Sequence, residues 1–402
     1  MSTDLLHYVA IGALGWGVYL RCAGLVCDEV DIAGAALSIL WFWCQRQGIQ
    51  TITPTDNTVT EDTFLTSWVN DYSAFFYNAM LQDKKRMATY QFASESAGNE
   101  VADGVSGKSW IDIGCGHDLP LTRMLLKSGV ADFVHSIEGN SSAWPHIERR
   151  LSTDADLRKR CKVHKNLSTD VSLDERVDGL IHELIGCIAS DEGMLVILRD
   201  AQKRLLKENF RTIPAYAATA AVPCGPPVTT PASVVMSLVI PAMDVFPDPT
   251  TPGIQSIYGL NSQWLSYEPK LVEEFPFDKR SIDDMMHQTT MSSWTVDKPG
   301  LFSGIAFGCI VEAGRGGPVL NALVEPSSWG QIFLRLTPPG HEPHLEKGDT
   351  IDMEFTVDAS ILVPEYKVKV WVRRANAGDE GMEAFSFQWA GPNGAMTMFQ
   401  MW

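Results

Sequence analysis

Apolar and polar positions divide the chain into successive textures. Residues 1–50 hold two apolar runs, LHYVAIGALGWGVYL and IAGAALSILWFWC, separated by Arg21, Asp28, Glu29 and Asp31. Neither run reaches the roughly 18 apolar residues that span a bilayer, and Asp4 stands where a signal peptide would be positive. The pattern predicts a small module of packed amphipathic helices rather than a membrane contact. Residues 51–62 are polar, Thr-rich and interrupted by Pro54, which predicts a linker. From Phe64 to Tyr90 apolar and aromatic residues recur at helical spacing, among them Trp68, Tyr72, Phe76 and Met80.

Between Ser109 and Pro214 short apolar runs alternate with helical stretches: SWIDIG, LTRMLLKSG, FVHSIE, a helix from Trp144 to Leu151, KVH, VDGLIHE and GMLVILRDAQKRLL. Such alternation predicts βαβ units and a parallel sheet covered on both faces, here a seven-stranded type of domain over residues 63–214. After Pro214 the long helical patterns vanish, and runs such as GIAFGCIVEA, DMEFTVDA and YKVKVWVRR alternate with turns. Residues 215–402 therefore read as an antiparallel barrel or sandwich.

Composition narrows the function. A length of 402 residues suits two folded units plus an extension, and a formal net charge of -17 would repel a phosphate backbone while attracting cationic ligands. Nucleic acid is not an expected partner. The eight cysteines are scattered without a CxxC pair or a zinc spacing, which predicts free thiols, a reducing compartment such as the cytoplasm, and no metal. His341 and His344 lie in a proline-rich turn without a third ligand nearby.

The strand Trp110–Ile113 runs into Gly114-Cys115-Gly116, where missing side chains let backbone N–H groups face a ligand. Gly-x-Gly alone also fits dinucleotide enzymes and plain tight turns. FVHSIE ends at Glu138, about twenty residues beyond the glycines, where a carboxylate can accept both hydroxyls of a ribose. His117, Asp118 and Leu119 follow in place of a third glycine, and an aspartate there would repel a pyrophosphate.

With these residues the chain resembles the class I S-adenosylmethionine-dependent methyltransferases, and more narrowly the protein arginine methyltransferases. HELIGCIASDEGML resembles that family's double-glutamate loop, with Glu183, Gly186, Glu192 and Met194 in register. Two carboxylates gripping the N–H fork of a guanidinium can aim one nitrogen at the methyl donor and hold the positive charge on the others. Read without the resemblance, Glu183 caps or salt-bridges a strand end and Glu192 is a first-turn helix acid. Tyr72, Met80, Asp83, Arg86 and Tyr90 resemble the family's N-terminal helix, LKENFRTIP its passage into a barrel, and Ser327-Ser328-Trp329 its Thr-His-Trp motif. The match covers residues 64 to 375.

The resemblance implies an α/β fold: a Rossmann-like class I methyltransferase domain followed by a C-terminal antiparallel β-barrel domain, preceded here by the N-terminal helical extension. It implies S-adenosyl-L-methionine as cofactor, with Arg86, Asp112, Gly114, Gly116, Glu138 and Thr169 as binding residues. Glu183 and Glu192 would be catalytic, while Tyr72, Met80, Met194 and Trp329 would wall the acceptor. It further implies a homodimer, with an arm near residues 226–258. The expected activity is N-methylation of the guanidino group of arginine, free or in a peptide. Methylation of another small amine or hydroxyl, or a silent binding partner with the same fold, stands as the alternative. Departures from the family pattern are Leu184, Ile185, Cys187 and Gly193 in the loop, Ser328 for the family's histidine, and Thr169 where a glutamate is usual. His182, on the opposite strand face from Glu183, is expected to be buried or packed.

Overall fold

A computed structural model of the chain describes residues 74–101, 108–227, 253–257, 260, 262–325, 327–375 and 382–390. The chain divides into two compact units, Met1–Thr58 and Val59–Trp402, and the first lies outside the described residues. The expected helical module, the linker, Tyr72 and most of the arm near 226–258 also lie outside them.

The helical stretch ending near Tyr90 is two helices, α1 (Ala74–Gln82) and α2 (Lys84–Val101). Asp83 makes the break. Its Oδ1 accepts the Arg86 N–H at 3.0 Å, the capping bond that starts a new helix, and its Oδ2 accepts the Ser328 N–H at 2.6 Å.

The parallel sheet follows: β1 (Ser109–Ile113), β2 (Phe133–Ile137), β3 (Cys161–His164), β4 (Val177–His182) and β5 (Leu206–Ile213). Their order is β3-β2-β1-β4-β5, five strands rather than the expected seven among the described residues. The connecting helices are α3 (Pro120–Ser128), α4 (Trp144–Thr153), α5 (Ala155–Arg160) and α6 (Met194–Arg204). Pro120 opens α3 and Gly129, in the left-handed region at φ 77°, closes it. Gly179 in β4 is required by packing, since a Cβ there would lie 2.4 Å from the buried Trp110 ring.

After β5 the chain forms antiparallel sheets. The larger has the order β7-β13-β11-β6-β8, from β7 (Gly253–Ile257), β13 (Gln331–Arg335), β11 (Gly304–Glu312), β6 (Tyr216–Cys224) and β8 (Lys270–Phe275), with β12 (Val319–Asn321) paired to β11. The second joins β17 (Met382–Ala390), β16 (Glu365–Arg373), β15 (Thr350–Asp358) and β9 (His287–Thr295); β10 (Gly300–Leu301) and β14 (His344–Leu345) form a short pair. Strand β15 alternates half-buried and buried positions, as expected where one face meets a core. The alanine-rich β6 is buried on both faces, so small side chains suit it. One hydrophobic core runs from Ile111 and Leu195 of the parallel half to Trp294 and Ile351 of the antiparallel half, which fixes the two halves against each other.

Candidate active site

The glycine turn leaves the carboxyl end of β1 with Gly114 at φ 77° and Gly116 at φ 66°, both left-handed and both suited to glycine. Gly114, Gly116, Met80, Arg86 and Glu183 line one cleft of about 60 Å³. Tyr77 of α1 lies over the turn, since a Cβ on Gly116 would meet its ring at 3.4 Å. The helical spacing read from Phe64 to Tyr90 runs through Tyr77, but no motif marked it.

Glu138, directly after β2, is buried, and its carboxylate accepts the Gly116 N–H at 2.7 Å and the Asn140 N–H at 2.8 Å. Tyr77 hydrogen-bonds it as well, and Asn140 Nδ2 donates to the Tyr77 hydroxyl at 3.2 Å. Burial raises the Glu138 carboxyl above its ordinary range, while these donors pull it back.

Asp112 stands one step behind the cleft. Fully buried, it accepts the Thr122 N–H at 2.9 Å and the Thr122 hydroxyl at 2.6 Å, which ties α3 to β1 and sets the turn between them. Burial raises its carboxyl to about 7. Asp112, expected among the cofactor residues, is not in the cleft lining and supports the glycine turn from below. Thr169, in the turn Ser168–Asp170 after β3, is exposed and does not line the cleft.

Glu183 follows the last residue of β4. Its Oε2 pairs with the Arg86 guanidinium, and its Oε1 is buried without a hydrogen-bond partner among the described residues. Arg86 Nη1 also donates to Ser328 Oγ at 3.1 Å, and its guanidinium carbon lies 4.3 Å from the centre of the Trp329 ring. Trp329 in turn donates its indole N–H to the Ile185 carbonyl at 2.5 Å, bracing the loop after Glu183 from behind. Ser328, where the resemblance led one to expect a histidine, is a partner of Arg86 and of the Asp83 cap.

The loop closes at Glu192, half-buried, before Gly193 at φ 68° and the start of α6. Glu192 is outside the lining of the cleft; burial raises Asp191 and Cys187, and the nearby Glu192 charge adds to both shifts. Met194, expected beside the acceptor, is fully buried with Leu195, Leu198 and Ala201 on the core face of α6 and is not among the residues lining this cleft. His182 is buried as expected, edge-on to Phe277 with ring centres 5.5 Å apart, and burial pushes its imidazole down to about 3.

Sequence comparison relates the chain to named arginine methyltransferases over part of its length. It is 30% identical over 135 residues to a probable histone-arginine methyltransferase 1.4 of Arabidopsis thaliana, covering 34% of this chain and 24% of that protein. It is 33% identical over 124 residues to a probable histone-arginine methyltransferase CARM1 of Oryza sativa subsp. indica, covering 30% and 22%. The chain thus spans about a quarter of the length of these curated relatives in the matched region. No family model matches it. Among solved structures, the fold is similar to Arabidopsis thaliana protein arginine methyltransferase 10, with a TM-score of 0.62 at 17% identity, covering 79% of this chain and 98% of that one. It is also similar to the Trypanosoma brucei PRMT1 enzyme–prozyme heterotetrameric complex with AdoHcy, with a TM-score of 0.58 at 15% identity, covering 78% and 97%. In fold, and over about a third of its sequence, the chain is similar to proteins named as arginine methyltransferases.

Proposed function

We propose that this chain is an S-adenosylmethionine-dependent methyltransferase acting on a guanidino nitrogen of arginine, free or in a peptide. The observation that carries the reading is Glu183. It lines the cleft reached by the glycine turn, with one carboxylate oxygen on a guanidinium and the other buried without a donor. A buried unpaired carboxylate oxygen is costly, and an arriving N–H relieves the cost. The internal Arg86 pair indicates that this position accepts a planar guanidinium stacked on Trp329.

The cofactor residues fit the cofactor. When bound, S-adenosylmethionine supplies a methyl group on a positively charged sulfur, ready for in-line displacement. Gly114 and Gly116 offer a surface free of side chains. Glu138 has about four lone-pair positions. Gly116, Asn140 and Tyr77 engage three of them, so movement of Tyr77 makes room for ribose hydroxyls. Arg86 would hold the cofactor carboxylate, which draws it from Glu183 and frees that carboxylate for substrate. Glu183 and Glu192 then orient the acceptor nitrogen and keep positive charge on the other two. The net charge of -17 suits a cationic substrate. We further read residues 215–402 as a barrel-like domain, the region near 226–258 as a dimerisation arm and the working form as a cytoplasmic homodimer, on the resemblance and the cysteine pattern. A Trypanosoma relative that assembles as enzyme and prozyme supports oligomerisation.

A second reading, a silent binding partner, draws on one observation: the chain's own Tyr77 and Arg86 engage both key carboxylates. Incubation with labelled S-adenosylmethionine, free L-arginine and an arginine-rich peptide separates the two. A product heavier by one or more methyl groups is expected. No heat of S-adenosylmethionine binding by calorimetry, with no methylated product, supports the silent reading, and methylation of unrelated amines alone removes arginine as the acceptor.

A further inference from the structure

Behind the loop that joins Glu183 to Glu192 lies a buried polar cluster that none of the cofactor or acceptor contacts uses. Ser190, Thr219, Glu273 and Tyr366 are each no more than 1% exposed, and Asp191 is 2% exposed. They come from the loop, β6, β8 and β16, so the antiparallel half reaches into the loop of the parallel half.

Hydrogen bonds in the cluster converge on one carboxylate. Glu273 Oε1 accepts the Thr219 hydroxyl at 2.7 Å and the Ser190 N–H at 3.2 Å, and Oε2 accepts the Ser190 hydroxyl at 2.7 Å. Two relays end there. The Ala189 N–H donates to Thr219 Oγ1 at 2.8 Å, and the Tyr366 hydroxyl, 2.8 Å from Ser190 Oγ, serves as its donor once Ser190 gives its own proton to Glu273. Every hydroxyl and N–H proton along these chains has an acceptor, which favours a single geometry for a buried polar network. Burial pushes Glu273 up to about 7 while its donors pull it back.

A strand irregularity makes this possible. Opposite Thr219 and Ala220 of β6, strand β8 supplies Glu273 and Leu271, so Val272 is an extra residue and the register shifts. Val272 and Glu273 are consecutive yet both buried, which regular alternation forbids and a bulge allows. The loop is also braced from within. Asp191 Oδ2 accepts the Ile188 N–H at 3.2 Å, and the Asp191 side chain lies against Gly186 so closely that a Cβ there would fall 1.4 Å from its Oδ1.

We infer that Glu273 is a positioning residue for the transfer reaction: through Ser190 and Thr219 it fixes the middle of the loop, and so the separation and aim of Glu183 and Glu192. The inference rests on the methyltransferase reading above. It assigns Glu273 no contact with cofactor or acceptor, because Glu273 lies outside the cleft lining.

The test compares Glu273→Ala, Glu273→Gln and Tyr366→Phe in the full chain, measuring kcat with arginine substrate, the Kd of S-adenosylhomocysteine, and amide exchange at Ile188–Glu192. Glu273→Ala is expected to lower kcat on the order of 100-fold, the scale of a misplaced catalytic group, with cofactor Kd within about twofold. Exchange rises at Ala189 and Ser190 but not at the glycine turn. Glu273→Gln restores kcat to within about tenfold of wild type, because an amide of the same size keeps the Oε1 bonds and reverses the hydroxyl relay. Tyr366→Phe gives a smaller loss of the same kind, and carries the test if the alanine variant does not fold. Unchanged kcat in these variants, or a fall in cofactor affinity parallel to kcat, overturns the inference. Absence of methyl transfer by the wild-type chain overturns the functional reading instead, and the exchange rates then still decide whether Glu273 fixes the loop.

Discussion

The two ends of the cleft, one proposed for the cofactor and one for the acceptor, are built by different means. At the cofactor end, the turn Gly114–Gly116, Glu138 and Asn140 hold one another through bonds of 2.7 and 2.8 Å that span 22 residues or fewer. At the acceptor end, the loop from Glu183 to Glu192 depends on Arg86, Trp329, Glu273 and Tyr366, drawn from both halves of the chain. A locally built site is set by one stretch of chain, whereas the acceptor loop is correct only when the two halves are docked. The two ends should therefore fail separately when mutated.

Glu183→Gln should have the largest effect. Removing the charge that holds the guanidinium is expected to lower kcat/KM for arginine by at least about 100-fold, on the scale of deleting one electrostatic catalytic contact. Cofactor affinity should be unchanged or tighter, because Arg86 loses its ionic partner. Calorimetry with S-adenosylhomocysteine beside a methylation assay checks both, and a parallel loss of cofactor binding would break the separation of the two ends.

Glu138→Ala is the converse and should be smaller. Loss of the buried carboxylate removes bonds to two backbone N–H groups and the expected grip on the ribose, so cofactor Kd should rise about 10- to 100-fold, as for charged hydrogen bonds of roughly 1.5–3 kcal/mol. At saturating cofactor, kcat should stay within about threefold of wild type, since the acceptor loop is held elsewhere. A kcat that stays low at saturation would show that the glycine turn also aims the methyl group.

The same contrast explains what the sequence made legible. The glycine turn, the Glu138 carboxylate and the βαβ alternation are encoded by neighbouring residues, and the described parallel sheet follows them. Glu183 was legible through one spacing. The helix break at Asp83 was missed because helical periodicity continues through it while a single side chain caps the Arg86 N–H three residues on. Met194 was read from its place in the loop motif, and the apolar face of α6 that buries it was not weighed. The Glu273 cluster left no local signal. Its bonds join residues 83 and 176 positions apart, and a strand bulge turns Glu273 inward against the alternation of β8. Long-range polar networks of this kind are decided by docking, which periodicity does not report.

The smallest expected effect lies at the junction of the two ends, where His182 closes β4 directly before Glu183. Both ring nitrogens are buried without hydrogen-bond partners among the described residues, and burial lowers the imidazole from 6.5 to about 3. The folded chain therefore binds fewer protons than the unfolded chain between those values. Stability present above pH 6.5 is lost as pH falls toward 3. Between pH 6.5 and 5 this single group accounts for up to about 2 kcal/mol. His182→Leu removes the titration and should flatten the acid side of the stability profile over that window, read as Tm against pH, while Tm at pH 8 changes little. Methyl transfer at pH 8 should also be retained, because the imidazole faces Phe277 and not the cleft. If His182→Leu instead abolished transfer at pH 8 with Tm preserved, His182 would belong to the acceptor machinery, and the boundary between core and site would have to move one residue toward β4.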